Sequence, residues 1–180
     1  MKVIAEIEGI TPLLMNRFRD AEIEGKSKKK GEQKDADVKD KLYLTEDDKP
    51  YLPSVYLWRC LIDAGKRLQV RGQGKSTYSK IVGSCVEINP DAIELKGNWE
   101  VFRVSAVNPM TRGRVMCSRP MFKKWSCSFE INIAGDEISL ETLNTLLTDA
   151  GQRTGLGDWR PEKKGKYGKF MVTKFAEVKG

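Results

Sequence analysis

Among the 180 residues there is no histidine. That excludes Ser-His-Asp hydrolysis, histidine-based general acid–base catalysis and histidine-containing zinc sites. Cysteine is sparse. Cys60, Cys85, Cys117 and Cys127 are separated by 25, 32 and 10 residues, with no CxxC pair. Such spacing fits reduced structural thiols rather than a metal cluster or a disulfide framework. Cys127, alternating with apolar neighbours, is expected in the core. No apolar run approaches the ~20 residues of a membrane span. The opening MKVIAEIEG is broken by acids too early to be a signal peptide. The expectation is one cytoplasmic domain with no membrane contact, metal or cofactor.

Charge, in contrast, is plentiful: 32 basic and 25 acidic residues, net +7. It is unevenly placed. Residues 51–125 carry 13 basic and 5 acidic groups, net +8, while residues 19–50 and 126–180 nearly balance. The stretches 64–86 and 103–124 hold no acid; the first carries Lys66, Arg67, Arg71, Lys75 and Lys80, and the second Arg103, Arg112, Arg114, Arg119, Lys123 and Lys124. Excess charge concentrated in this way favours a polyanionic partner over an evenly solvated surface.

Periodicity divides the chain. Val3, Ala5 and Ile7 alternate with Glu6 and Glu8, the pattern of a half-buried strand. Residues 19–41 mix both signs with almost no apolar side chain, and are expected to be a mobile charged insertion. In YLPSVYLWRCLIDAGKRL, Ser54 is the expected N-cap of a helix whose buried stripe is Leu57, Cys60, Leu61, Ala64 and Leu68. RGQGKSTYSK, 71–80, is a basic Gly/Ser loop. It lacks the GxxxxGKS spacing and a feeding strand, so it is not read as a nucleotide site. Short strands are expected at 84–88, 92–96 and 99–107. Residues 108–124, with Pro109 and Pro120, are expected to project as a hairpin or long loop. Trp125, Cys127, Phe129, Ile131 and Ile133 alternate with polar residues as the clearest strand of the chain. Ser139 caps a second helix that Gly151 should close, and a final strand falls near 167–177. The order predicts an α+β, ferredoxin-like (RRM-like) βαββαβ core with two insertions.

The richest segment is TGLGDWRPEKKGKYGKF, 154–170. Gly155, Gly157, Gly165 and Gly168 permit close backbone approach. Arg160, Lys163, Lys164, Lys166 and Lys169 bring positive charge, and Trp159 and Tyr167 bring planar faces. Amides and cations for phosphates, with rings for bases, suit a single-stranded nucleic acid.

Three segments carry a family resemblance. YLPSVYLWRCLIDA resembles the "IPGSSLKGALR" helix start of the RAMP superfamily of CRISPR-associated RNA-binding proteins. GLGDWRPEKKGKYGKF resembles their glycine-rich loop before the last strand, and IEGITPLLMN, 7–16, resembles their opening strand and turn. The resemblance is nearest to the subunits that stack as a filament along guide RNA. It implies a non-catalytic, RRM-like subunit that binds crRNA by its backbone, beside copies of itself and other subunits, in antiviral defence. The implied RNA-facing residues are Ser54 and Arg59 at the helix start, Asn16 and Arg17 after strand one, and Arg153, Gly155, Gly157, Trp159, Arg160, Lys163, Lys164, Gly165 and Gly168 in the loop. A thumb in 108–124 would add Arg112, Arg114 and Arg119. The chain departs from the family in having Ser54-Val55 for Gly-Ser and Trp58 for a lysine, and in being short. A phage or mobile-element relative coating single-stranded DNA, and a repeat-processing endoribonuclease of the same superfamily, are the alternatives. Some backbone subunits of the superfamily cut target RNA with an Asp in a loop after strand one; Asp20, Asp35, Asp37 and Asp40 lie in such a loop and are read as solubilising charges, so no nuclease is assigned.

Overall fold

The computed structural model describes residues 1–17, 38–107 and 110–178. In chain order the elements are β1 (Lys2–Gly9), β2 (Leu13–Leu14), β3 (Tyr51–Pro53), α1 (Ser54–Gly65), α2 (Tyr78–Cys85), β4 (Val86–Asn89), β5 (Ala92–Glu94), β6 (Trp99–Val107), β7 (Arg114–Phe122), β8 (Ser126–Ile133), α3 (Leu140–Asp149) and β9 (Phe170–Glu177). A π-helical turn, Ala150–Thr154, follows α3, and a 3-10 turn, Pro161–Lys163, precedes β9.

The main sheet has the order β4-β8-β1-β9, with every neighbouring pair antiparallel. With α1 between β1 and β4, and α3 between β8 and β9, this is the ferredoxin-like topology. The alternation seen in the sequence sets the faces. Val3, Ala5 and Ile7 of β1 and Cys127, Phe129, Ile131 and Ile133 of β8 all lie in the core. Leu57, Cys60, Leu61 and Ala64 of α1 and Leu143, Leu146 and Leu147 of α3 cover that face. Burying such side chains contributes roughly 1.5–3 kcal/mol each, the largest favourable contribution to folding. A second sheet, β2-β7-β6, and a small pair, β3-β5, stand beside the core.

Several expectations change. Ser54 is not the N-cap: Pro53 holds that place, and Ser54 is the first helical residue, with its N–H donating to the Asp91 carbonyl at 2.8 Å. Ser54 is therefore tied to the loop before β5 and does not close its own helix. Residues 84–85 end α2, a helix that the polar YSKIVGSC concealed, and the strand starts at Val86. Of the two forms expected for residues 108–124, the structure shows a hairpin, but one whose first arm lies before them, in β6. From Arg114 onward they form β7, which pairs with β6 in nine-residue register from Trp99↔Phe122 to Val107↔Arg114. Residues 108–109, Pro109 included, lie outside the described residues. The charged insertion is shorter than 19–41 at its far end, because Val38 and Lys41 are buried. Asp20, Asp35 and Asp37 lie outside the described residues.

Gly151 does not close α3. The backbone continues into the π-helical turn, and the chain leaves at Gly155, φ +71°. Gly151 has a packing role instead: a Cβ there would stand 2.3 Å from the Phe170 carbonyl and 2.8 Å from its ring. Helix propensity and packing therefore predict opposite signs for Gly151→Ala. Propensity favours alanine by about 1 kcal/mol. Collision with a strand backbone outweighs this, and we expect a net loss of about 1–3 kcal/mol. A urea melt showing alanine equal to or above the parent would refute the packing argument.

Candidate nucleic-acid interface

The segment after β1 and the glycine-rich loop are bound together backbone to backbone. Asp158 N–H donates to the Leu14 carbonyl at 2.8 Å, and Gly168 N–H donates to the Pro12 carbonyl at 2.8 Å. Gly157, at φ +75°, lies so close that a Cβ would stand 2.3 Å from the Leu14 oxygen. Within the loop, Gly168 presses on the Leu156 carbonyl and Gly165 on that of Trp159. The glycines are thus filled against protein. Most of the loop's N–H groups are also taken: those of Gly155, Leu156, Lys163, Lys164, Gly165, Tyr167 and Gly168 all bond to backbone carbonyls, and that of Trp159 bonds to Asp158 Oδ1. The expected use of these amides as a phosphate cradle is therefore not available to them, because two stacked loops satisfy each other.

Charge and rings bind the loop to the β6–β7 hairpin. Arg119 Nε donates to Asp158 Oδ2 at 2.9 Å, with both side chains largely covered. Phe102 meets Trp159 edge-on at 6.3 Å and Tyr167 at 5.7 Å. Trp159 is half-buried at φ +50°, a ring that shapes the loop. A third tie comes from buried Lys41, whose Nζ donates to the Ser118 carbonyl at 2.8 Å.

Between α1, the residues after β1 and this loop lies a cleft of about 400 Å³. Leu13, Leu52 and Leu156 give it an apolar floor, and Asn16, Tyr43, Tyr56, Arg59, Asp63, Asp158 and Arg160 give it polar walls. The Tyr43 and Tyr56 hydroxyls are hydrogen-bonded to each other. Burial first, then that bond, raises Tyr56 well above the usual phenol range, and Arg160 opposes the rise only in part. Tyr56 is therefore a neutral donor, unfit as a base. Arg160 bonds the Gly157 carbonyl at 3.2 Å and pairs with Glu162 at 2.8 Å. Arg59 is exposed and has no charged partner among the described residues. Asp63 faces Lys66 at 2.6 Å, and Asp158 faces Arg119. The free charge of the cleft is therefore positive.

Of the residues singled out in the sequence, Asn16, Arg59, Gly155, Gly157 and Arg160 meet at this cleft. Arg17 sits beside it, its guanidinium 5.9 Å from the Tyr43 ring centre. Lys163 and Lys164 stand exposed on the 3-10 turn, Lys163 beside Glu162 at 3.0 Å. Gly165, Gly168, Trp159 and Arg119 brace the loop rather than line the cleft. Ser54, Arg153 and the hairpin-tip pair Arg112 and Arg114 lie apart; Arg153 pairs with Asp149 at 3.3 Å. Sequence reasoning missed Tyr43, Tyr56, Asp63 and Asp158. Tyr56, Arg59 and Asp63 share one face of α1 at spacings of three and four, which was legible. Tyr43 arrives only through the tertiary return of the chain after the insertion.

Among the described residues no group of three or more acids and cysteines is arranged to hold a metal, and no helix is long and apolar enough to cross a membrane. No protein-family model and no curated protein matches the chain. Its fold does match a solved structure, described as the cryo-EM structure of the Type III-B Cmr-beta bound to cognate target RNA. The TM-score is 0.57 at 13% sequence identity, over 97% of this chain and 59% of that chain. This chain thus spans about three fifths of the neighbour's length.

Cys60 anchors the floor from below, donating to the carbonyls of Gly155 at 3.4 Å and Ala150 at 3.6 Å. Burial pushes its thiol, and that of Cys127, up to about 12. At about pH 8 roughly one Cys60 in 10⁴ would be thiolate, so native protein should be alkylated at half-buried Cys85 and Cys117 and spared at Cys60 and Cys127. Peptide mapping after iodoacetamide checks this. Rapid labelling of Cys60 in the folded protein would mean that the cleft floor opens.

Proposed function

We propose that this chain is a non-catalytic RNA-binding subunit that coats a guide RNA through backbone contacts within a multi-subunit CRISPR-type ribonucleoprotein. The observation that carries this reading is the cleft itself. It joins three segments far apart in sequence, the turn after β1, the start of α1 and the glycine-rich loop, which are the three that resemble the RAMP superfamily. The fold shared with a chain of an RNA-bound Cmr-beta structure agrees with it. So does charge: Arg59 lines the cleft, Arg17 stands over Tyr43 of its wall, and Lys163 and Lys164 follow Arg160 on the 3-10 turn. There is no histidine to act as a base, Tyr56 is neutral, and the carboxylates of the cleft, Asp63 and Asp158, are each engaged by a cation, which supports a holding role. Guide RNA is the ligand, with single-stranded DNA as the competitor to exclude, and other subunits of the complex are the partners.

Replacing Arg59, Lys163 and Lys164 together with alanine should weaken single-stranded RNA binding at least tenfold, since three phosphate contacts of about 0.5–1 kcal/mol each exceed the ~1.4 kcal/mol of one decade. Arg160 is left in place because it also bonds the loop backbone. Melting should hardly move, as exposed charges add little to folding. Unchanged affinity at physiological salt would sink the cleft as the RNA site.

Copies of the chain should line up along one strand. Sedimentation with a long RNA at protein excess is expected to show complexes of many copies. A strict one-to-one complex would contradict the coating role.

A further inference from the structure

Beyond α1 the chain makes a small hairpin that the cleft does not use. Val70 N–H donates to Ser76 O at 2.9 Å, Tyr78 N–H to Leu68 O at 3.0 Å, and Gln69 bridges Thr77. Leu68 and Tyr78 root it on the core, and Gly65 lies against the Ser79 backbone, where a Cβ would stand 2.8 Å away. The tip is therefore ordered and held at a fixed angle. It carries Arg71 and Lys75, and Lys80 follows on the outer face of α2. All three are exposed, and none has a partner among the described residues. Several exposed lysines elsewhere are neutralised, Lys39 by Asp48, Lys123 by Glu100 and Lys174 by Glu6. No acid occurs anywhere in 64–86 to do the same here.

A rigid mount for like charges with no counter-charge costs stability through self-repulsion, and it is relieved by a polyanion. We propose that Arg71, Lys75 and Lys80 form a second phosphate-binding surface, which takes the single-stranded RNA after it leaves the cleft. This rests on the RNA reading of the cleft and extends it. Position favours the same strand over a separate acidic protein. Arg59 is at the cleft, and Lys66, which caps α1 and is itself held by Asp63, lies seven residues on, about 10 Å along the axis; the hairpin begins two residues later. The unpaired cations of the hairpin thus follow directly on the helix that lines the cleft.

The test uses the full chain, its Arg71→Ala, Lys75→Ala, Lys80→Ala variant, and two oligouridylates. One of ~3 nucleotides, about 10 Å at ~3.4 Å per phosphate, stays at the cleft, and one of ~25 exceeds a single-domain site of about 4–16 nucleotides. The expected result is unchanged affinity for the short RNA and at least tenfold weaker binding of the long one. The salt slope for the long RNA should fall by about 2, from three contacts at roughly 0.7 each. A variant with Arg71→Lys alone, keeping the charge, should bind the long RNA like the parent, and circular dichroism confirms folding of each. If the triple variant binds both RNAs like the parent, the second surface is refuted while the cleft stands; an acidic protein or other partner of the hairpin would give this outcome. If the parent binds neither RNA, both readings fall.

Discussion

The Leu14 carbonyl is the point on which the functional half of the molecule turns. It accepts the Asp158 N–H, and Gly157 is packed against it with no room for a side chain. Leu13 and Leu14 at the same time pair with Phe122 and Met121 at the base of β7. One dipeptide therefore fixes the glycine-rich loop on one side and the hairpin on the other. Asp158, once held there, receives Arg119 from the hairpin, and Phe102 comes to rest on Trp159 and Tyr167. Backbone contact sets the position, and the ion pair and rings then lock two mobile kinds of element, a loop and a hairpin, into one wall.

That wall also accounts for the glycines. In the sequence, glycine beside lysine reads as a cradle for phosphate. In the fold, the space beside each glycine is occupied by the protein's own carbonyls or by Pro161. The loop is built first to stack on its neighbour. What it offers outward is side chains: cations on the 3-10 turn, and a half-open cleft with two hydrogen-bonded tyrosine hydroxyls and one unpaired arginine. Such a surface grips phosphates by charge rather than by shape, and so would tolerate many base sequences.

Where periodicity was strong, the fold was legible in the sequence. β1, β8 and the buried stripe of α1 are set by alternation and by three-four spacing, and the core follows them except at Leu68, which lies beyond the end of α1 and is half-buried. Legibility failed where tertiary contact overrode local cues. YSKIVGSC is too polar and too short to announce a helix, and it becomes α2 because α1 packs against it. Pro120 suggested an irregular loop, yet it sits in β7 opposite Val101, since a strand loses only one donor to proline. Gly151 looked like a stop signal, but its meaning was close packing to Phe170. Within the site, Arg59 and Arg160 could be found from residue type alone, whereas Tyr43 could not, because nothing local marks it for a cleft built by α1.

The strand that enters the long charged insertion and the one that leaves it are joined at its neck: Arg17 N–H donates to the Lys41 carbonyl at 3.0 Å, and Tyr51 N–H returns to Tyr43 O at 3.0 Å. The fold asks that Arg17 meet Lys41 and that Val38 enter the core, so an insertion would have to fall between residues 17 and 38. A flexible connection there would cost only about 0.6 kcal/mol more for each doubling of its length. The neck is consequently a socket in the engineering sense. A reporter domain or a crosslinking tag spliced between those residues would hang beside Arg17 and Tyr43, at the lip of the cleft, with the core unaware of its size.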